Sequence, residues 1–194
     1  PSPVLKPSAK PQSPTVPVIA KPKVKPGTVL WEYATKDAVP IYGSPSLYQD
    51  KVCFGDYRGN FHVVDTKTGK LKSTIKLSTA GFPHSHDNII STAAIKDGNA
   101  FFSGHWVNTL AYDLEKGKAI WVKNRRDIGS RLGIAIGSGH SVIFSAYFKK
   151  SIKSIDSRTG EVLWSFLTKN HPTMTPSIDS NNVVYVGSED GFFY

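Results

Sequence analysis

The sequence predicts an all-β fold: a β-propeller of four-stranded blades, present as a fragment of about three and a half blades. Three observations carry the prediction. A turn running from Asp to Gly recurs along the chain, a strand ending in a small residue precedes each Asp by nine or ten positions, and the repeat length is that of four short strands with their turns.

The turn is clearest at Asp156-Ser157-Arg158-Thr159-Gly160, between Ile152 and Ile155 on one side and Val162, Leu163 and Trp164 on the other. An Asp side chain can accept backbone N–H groups two residues on, and Gly can take a positive φ without a Cβ clash. β-branched and aromatic residues on both flanks make the surroundings strands. Asp65 to Gly69 and Asp113 to Gly117 repeat the spacing, and Gly27-Thr28-Val29-Leu30-Trp31 keeps the end of an earlier copy. Trp31, Trp121 and Trp164 each fall four residues after the glycine, and Ser73 stands at that position after Gly69. Successive glycines lie 42, 48 and 43 residues apart, against about 40–45 for a propeller blade.

The other elements repeat too. Val52-Cys53-Phe54-Gly55, Phe101-Phe102-Ser103-Gly104, Val142 to Ala146 and Val183 to Gly187 form the strand that ends in a small residue. Upstream of it lies a Ser/Thr/Pro-led strand, as in Ser44-Pro45-Ser46-Leu47 and Thr175-Pro176-Ser177-Ile178. Proline is tolerated there because a strand's first N–H is the least needed.

Residues 1–26 have a different character. They hold eight of the thirteen prolines, five lysines and no acid, a composition that cannot bury a core. The expected division is an extended or disordered Pro/Lys-rich linker at 1–26 and the partial propeller at 27–194. Removing those five lysines takes the net charge from +9 to +4, so the basic balance is partly a property of the tail and no nucleic-acid partner is expected. The tail itself reads as a solvated linker or as a basic arm for a membrane surface or an acidic polymer. No run of about 18 apolar residues exists to span a membrane. A start at Pro1 and an end at Phe192-Phe193-Tyr194, where the next strand should head for its Asp, lead to the expectation that both ends are cut from a longer protein. A lone Cys53 in an apolar run reads as a buried structural thiol.

Together, Gly187-Ser188-Glu189-Asp190-Gly191 after Val-Val-Tyr-Val and Asp-x-x-Thr-Gly-Glu-Val-Leu-Trp resemble the repeats of quinoprotein-type (PQQ-like) β-propellers over about residues 27–194. The resemblance implies a ring of about seven or eight radial blades. It also implies that Trp31, Trp121 and Trp164 dock against neighbouring blades, with Ser73 marking a weakened junction. One branch of the family comprises dehydrogenases that hold PQQ with Ca²⁺ on the propeller axis, commonly beside a Cys-Cys pair. The other comprises cofactor-free scaffolds, among them proteins of the bacterial envelope. This chain has one cysteine, and most of its Asp residues are already explained by turns, so the expected function is a non-catalytic scaffold or protein-interaction module, periplasmic or otherwise in the cell envelope or extracellular. No cofactor is expected on that reading. The alternative is a PQQ-dependent dehydrogenase whose site lies mostly outside this segment. Protein partners are expected, with possible membrane anchoring upstream, and an incomplete ring should self-associate through its exposed ends.

Two clusters offer local chemistry. The Gly69-to-Gly117 interval is longer than its neighbours, and the surplus contains His84, His86 and Asp87, whose His-x-His spacing could ligate a metal, but no third or fourth ligand is evident locally and a polar turn-forming loop explains the same residues. Arg125, Arg126, Asp127 and Arg131 could meet an acidic partner or form a solvated loop with internal ion pairs.

Overall fold

The computed structural model describes residues 24–77, 88–104 and 107–194. Among these residues fourteen strands form three four-stranded antiparallel sheets and one two-stranded sheet, each with its strands in sequence order. Blade 1 comprises β1 (Ser46–Tyr48), β2 (Lys51–Gly55), β3 (Asn60–Asp65) and β4 (Leu71–Lys76). In blade 2 the strands are β5 (Ala94–Lys96), β6 (Asn99–Gly104), β7 (Val107–Asp113) and β8 (Lys118–Lys123). Blade 3 follows with β9 (Ala135–Ile136), β10 (Ser141–Ala146), β11 (Ser151–Asp156) and β12 (Val162–Leu167). The inner pair β13 (Ser177–Ile178) and β14 (Val184–Tyr185) begins blade 4. The sheets are consistent with the expected partial propeller. Among the described residues one four-residue α-helix, α1 (Arg125–Ile128), sits in the link from blade 2 to blade 3.

Each outer hairpin follows one scheme. Asp65 Oδ1 accepts the N–H groups of Lys67 and Thr68 at 2.9 Å, Asp113 Oδ1 those of Glu115 and Lys116, and Asp156 Oδ1 those of Arg158 and Thr159. The glycine N–H then returns to the Asp carbonyl, at 3.0 Å for Gly69, 2.9 Å for Gly117 and 2.8 Å for Gly160. All three glycines have positive φ, between 65° and 72°. The register slips at the residue before each Asp, next to Val64, Tyr112 and Ile155, so every outer hairpin carries a bulge at the same place.

The hydrophobic core lies between sheets. Cys53, Phe61, Val63, Phe102 and Leu110 fill the junction of blades 1 and 2, with the Phe61 and Phe102 rings stacked at 3.7 Å between centroids. Phe101, Ala111, Trp121, Val142, Phe144 and Ile155 fill the next junction, and Ile143, Ile152 and Val186 the third. Neighbours such as Phe101 and Phe102 therefore serve opposite junctions, because successive side chains of a strand point to opposite faces. A strand covered on both sides has no solvent face, which is why β6 and β10 read as near-continuous apolar runs. Burial also raises the Cys53 thiol to about 11.

Trp121 fastens blade 2 to blade 3, and Trp31 fastens the segment ahead of β1 to blade 1. The Trp31 indole N–H donates to the Thr66 carbonyl at 2.7 Å, and that of Trp121 to the Ser157 carbonyl at 3.0 Å. In each case the ring lies over the turn glycine so closely that a Cβ on Gly69 or Gly160 would come within 3 Å of it. Ser73 occupies the same register as these residues, since Val63 faces Ser73 as Ala111 faces Trp121 and Ser154 faces Trp164. Among the described residues, no indole reaches Gly117 at that junction. Instead Tyr112, standing where blades 1 and 3 have Val64 and Ile155, is buried there, its hydroxyl 3.3 Å from Ser73 Oγ and 3.6 Å from the position of a Gly117 Cβ. An aromatic ring still fills the junction expected to be weak, but it comes from the following blade.

Candidate functional site

In an antiparallel meander the β2–β3 type of turn and the links between blades share one end of the sheets, and the Asp-to-Gly hairpins share the other. The structure therefore separates the repeat's fastening machinery from a loop face. At the hairpin end the Asp carboxylates are committed to their own turns. Asp65 is held at about 2 mainly by the Thr68 backbone N–H, and Asp156 at about 2 by the Arg158 side chain and then its backbone N–H. Trp164 has the register of a docking residue but is 42 % exposed, and lines a cavity of about 490 Å³ with Ile152, Phe166, Val184, Val186 and Tyr194.

The loop face carries a different chemistry. On blade 1, Asp56 of the β2–β3 turn is buried, and its Oδ1 accepts the N–H groups of Arg58 and Asn60, both at 2.9 Å. Its Oδ2 takes Asn60 Nδ2 at 2.7 Å and His62 Nε2 at 2.9 Å. Burial opposes ionisation of this carboxyl, but the hydrogen bonds from His62, Asn60 and Arg58 outweigh it and leave Asp56 below the ordinary range. Tyr33 contacts the far side of the same imidazole, 3.1 Å from Nδ1.

Between blades 2 and 4 the face is built on a stack. The Arg131 guanidinium lies 4.1 Å from the centroid of the Tyr147 ring, and His171 stacks on Tyr147 at 4.2 Å with its Nδ1 2.8 Å from the Tyr147 carbonyl. Three connections from three parts of the chain thus converge: the link after α1, the tip of the β10–β11 hairpin and the link into β13. The same loop face carries exposed Arg58, Arg126, Lys149, Lys150 and Lys169, with exposed Tyr42 and Met174.

Of the residues singled out from the sequence, His84, His86 and Asp87 lie outside the described residues. Among the described residues no three of His, Cys, Asp and Glu gather as a metal site. The Arg125–Arg131 group is dispersed: Arg126 is exposed on α1, while Arg131 belongs to the Tyr147 stack. Sequence reasoning missed Asp56, Tyr33 and Tyr147. The spacing of Asp56, Asn60 and His62 around Gly59 was the available signal for the first, because a short Asx-led turn brings positions four and six residues on back to its carboxylate.

Residues 19–166 match the protein family described as outer membrane protein assembly factor BamB. A curated relative of that description from Francisella salina is 24% identical over 159 residues, covering 80% of this chain and 30% of its own length. Among solved structures, BamB from Moraxella catarrhalis is similar with a TM-score of 0.62 at 22% identity, over 87% of this chain and 54% of that one. The computationally designed Ika8 gives 0.58 at 19% identity, over 79% of this chain and 44% of its own. The designed Ika4 gives 0.63 at 18%, over 87% of this chain and 96% of its own. The chain thus spans under a third of the curated relative and about half of the Moraxella protein. With its repeat, its sheets and a match over most of its length, the chain belongs to the BamB family of PQQ-like β-propellers.

Proposed function

We propose that this segment is part of a non-catalytic scaffold of the bacterial cell envelope that binds a protein partner involved in outer-membrane protein assembly, and that the partner is met on the loop face. The observation that carries the reading is the Arg131–Tyr147–His171 stack, joined across three connections on a face that also carries exposed basic side chains. Arg and Tyr are the residue types most enriched at the centres of protein interfaces, where a ring held from both sides loses little entropy on binding. The printed description of the relatives, an outer membrane assembly factor, supplies the process. The excess of Arg and Lys fits a partner surface carrying carboxylates. The scaffold works without PQQ on this reading, since Asp56, Asp65, Asp113, Asp156, Asp179 and Asp190 all accept backbone N–H groups within their own turns or links.

The test is site-specific photocrosslinking in envelope preparations, with the photoreactive residue at Tyr147 or Tyr57 on the loop face and at Lys116 on the hairpin face. Crosslinks to an outer-membrane assembly component from Tyr147 and Tyr57 but not Lys116 support the proposal. Crosslinks from Lys116 alone would move the partner to the opposite face. Saturable binding of PQQ with Ca²⁺ by the complete protein, followed by turnover of an alcohol or sugar, would replace the scaffold reading with an enzyme.

A further inference from the structure

The segment ahead of β1 crosses blade 1 from one end of the sheet to the other. At the hairpin end Trp31 is fastened over Gly69. At the loop end Tyr33 reaches His62, and Asp37, Pro40 and Tyr42 meet Arg58 and Tyr57 of the Asp56–Asn60 turn. Asp56 and His62 are 1% and 5% exposed, so neither finds a substitute partner in water without opening the structure. An ionised carboxylate only accepts, so the His62 Nε2–H donates to Asp56, while Nδ1 on the far side of the ring shares a hydrogen bond with the Tyr33 hydroxyl. Phe54 stacks on the imidazole at 5.3 Å, and Tyr33 meets both rings edge-on at 5.7 Å.

We propose that Tyr33, His62 and Asp56 form a latch that couples the seating of residues 28–42 on blade 1 to the order of the Asp56–Asn60 turn. The chemistry is one continuous chain: the hydroxyl that holds the segment fixes the imidazole, the imidazole fixes the carboxylate, and the carboxylate holds the N–H groups of Arg58 and Asn60. Other links cross the same boundary, from Tyr57 N–H to the Pro40 carbonyl at 2.9 Å, between Arg58 and Asp37 at 3.3 Å and between the Tyr42 and Tyr57 rings. The Arg58–Asp37 pair is solvent-exposed and contributes little by itself. The relay, with Asp56 and His62 buried, supplies the coupling, and it presents Tyr57 and Arg58 on the loop face only while the segment is seated. The inference stands apart from the partner proposed above, because its readout needs none.

Hydrogen exchange by mass spectrometry on the complete protein tests it. Tyr33→Phe removes one hydroxyl and should raise exchange at least tenfold both in residues 28–42 and in the Arg58 and Asn60 amides, leaving blade 3 unchanged. Coupling is reciprocal. Asn60→Ala, which loosens the turn from its own side, should therefore raise exchange in residues 28–42 as well. Arg58→Ala, which removes only the exposed pair, should change residues 28–42 less than threefold. A rise confined to whichever element was mutated, in either Tyr33→Phe or Asn60→Ala, would overturn the latch. So would an Arg58→Ala effect as large as that of Tyr33→Phe. If one variant fails to fold, the other decides alone.

Discussion

The indole of Trp121 covers Gly160, its N–H bonded to the Ser157 carbonyl at 3.0 Å and its ring within 3 Å of where a Gly160 Cβ would stand. A residue of one repeat thus reads the backbone of the next. The pairing makes the glycine obligatory twice over, by its φ of 72° and by the ring above it.

Trp121→Ala should cost about 3–5 kcal/mol of unfolding free energy, as expected for deleting a large buried aromatic. Trp121→Phe retains most of the apolar area and loses the indole N–H, and should cost about 1 kcal/mol from the missing bond plus the smaller ring's void. Gly160→Ala should cost at least about 1–2 kcal/mol from backbone strain alone. Urea denaturation of the complete protein measures all three.

Tyr112 fills from blade 2 the space that an indole at position 73 would fill from blade 1. Ser73→Trp alone should therefore overpack and destabilise by about 1–3 kcal/mol. Tyr112→Val alone leaves a void and should cost about 2–4 kcal/mol. The double variant restores the arrangement seen at Trp121 and should be more stable than the sum of the singles by about 1–2 kcal/mol. A double-mutant cycle checks this, and an additive result would mean that the two residues do not share the site.

Asp65 and Asp156 are held at about 2, below the ordinary carboxylate value near 3.8. A folded-state pKa below the unfolded one gives stability that is present above the unfolded value and lost as pH falls through the folded one. Melting temperature should consequently fall between pH 4 and pH 2. Asp156→Asn keeps an acceptor for the turn but cannot titrate, so its melting temperature should be lower at neutral pH and fall less steeply over that window.

Cys53 is fully buried, with its thiol raised to about 11. At pH 8 an aromatic disulfide reagent should react with it only as fast as the protein opens, and at the rate of a free thiol in denaturant. Fast reaction in the native protein would place the β2 core in exchange with solvent.

The repeat was legible because its turns depend on local chemistry. Asp at the head, Gly at positive φ and a β-branched or aromatic exit can be found in the chain without knowing what packs where, as at Asp156, Gly160 and Val162. The Ser73 position was legible only as a missing tryptophan, because its partner lies 39 residues on and belongs to another repeat. The same limit hid the loop face. Arg131, Tyr147 and His171 share no motif, and only the stacking of blades brings them to one place. Asp56 and His62 sit six residues apart, but Tyr33, which completes their relay, comes from a segment outside the sheet.

Phe101 and Phe102 face opposite junctions from adjacent positions. Each central strand is in effect two interleaved texts, odd residues addressed to one neighbour and even residues to the other. A single inserted residue in β6 would exchange the addresses, sending the ring stacked on Phe61 toward Trp121 and the reverse. Inheritance of such a strand must preserve its phase before its identities. Large changes of side chain can be tolerated where a facing residue answers them, whereas a shift of one position damages three blades at once.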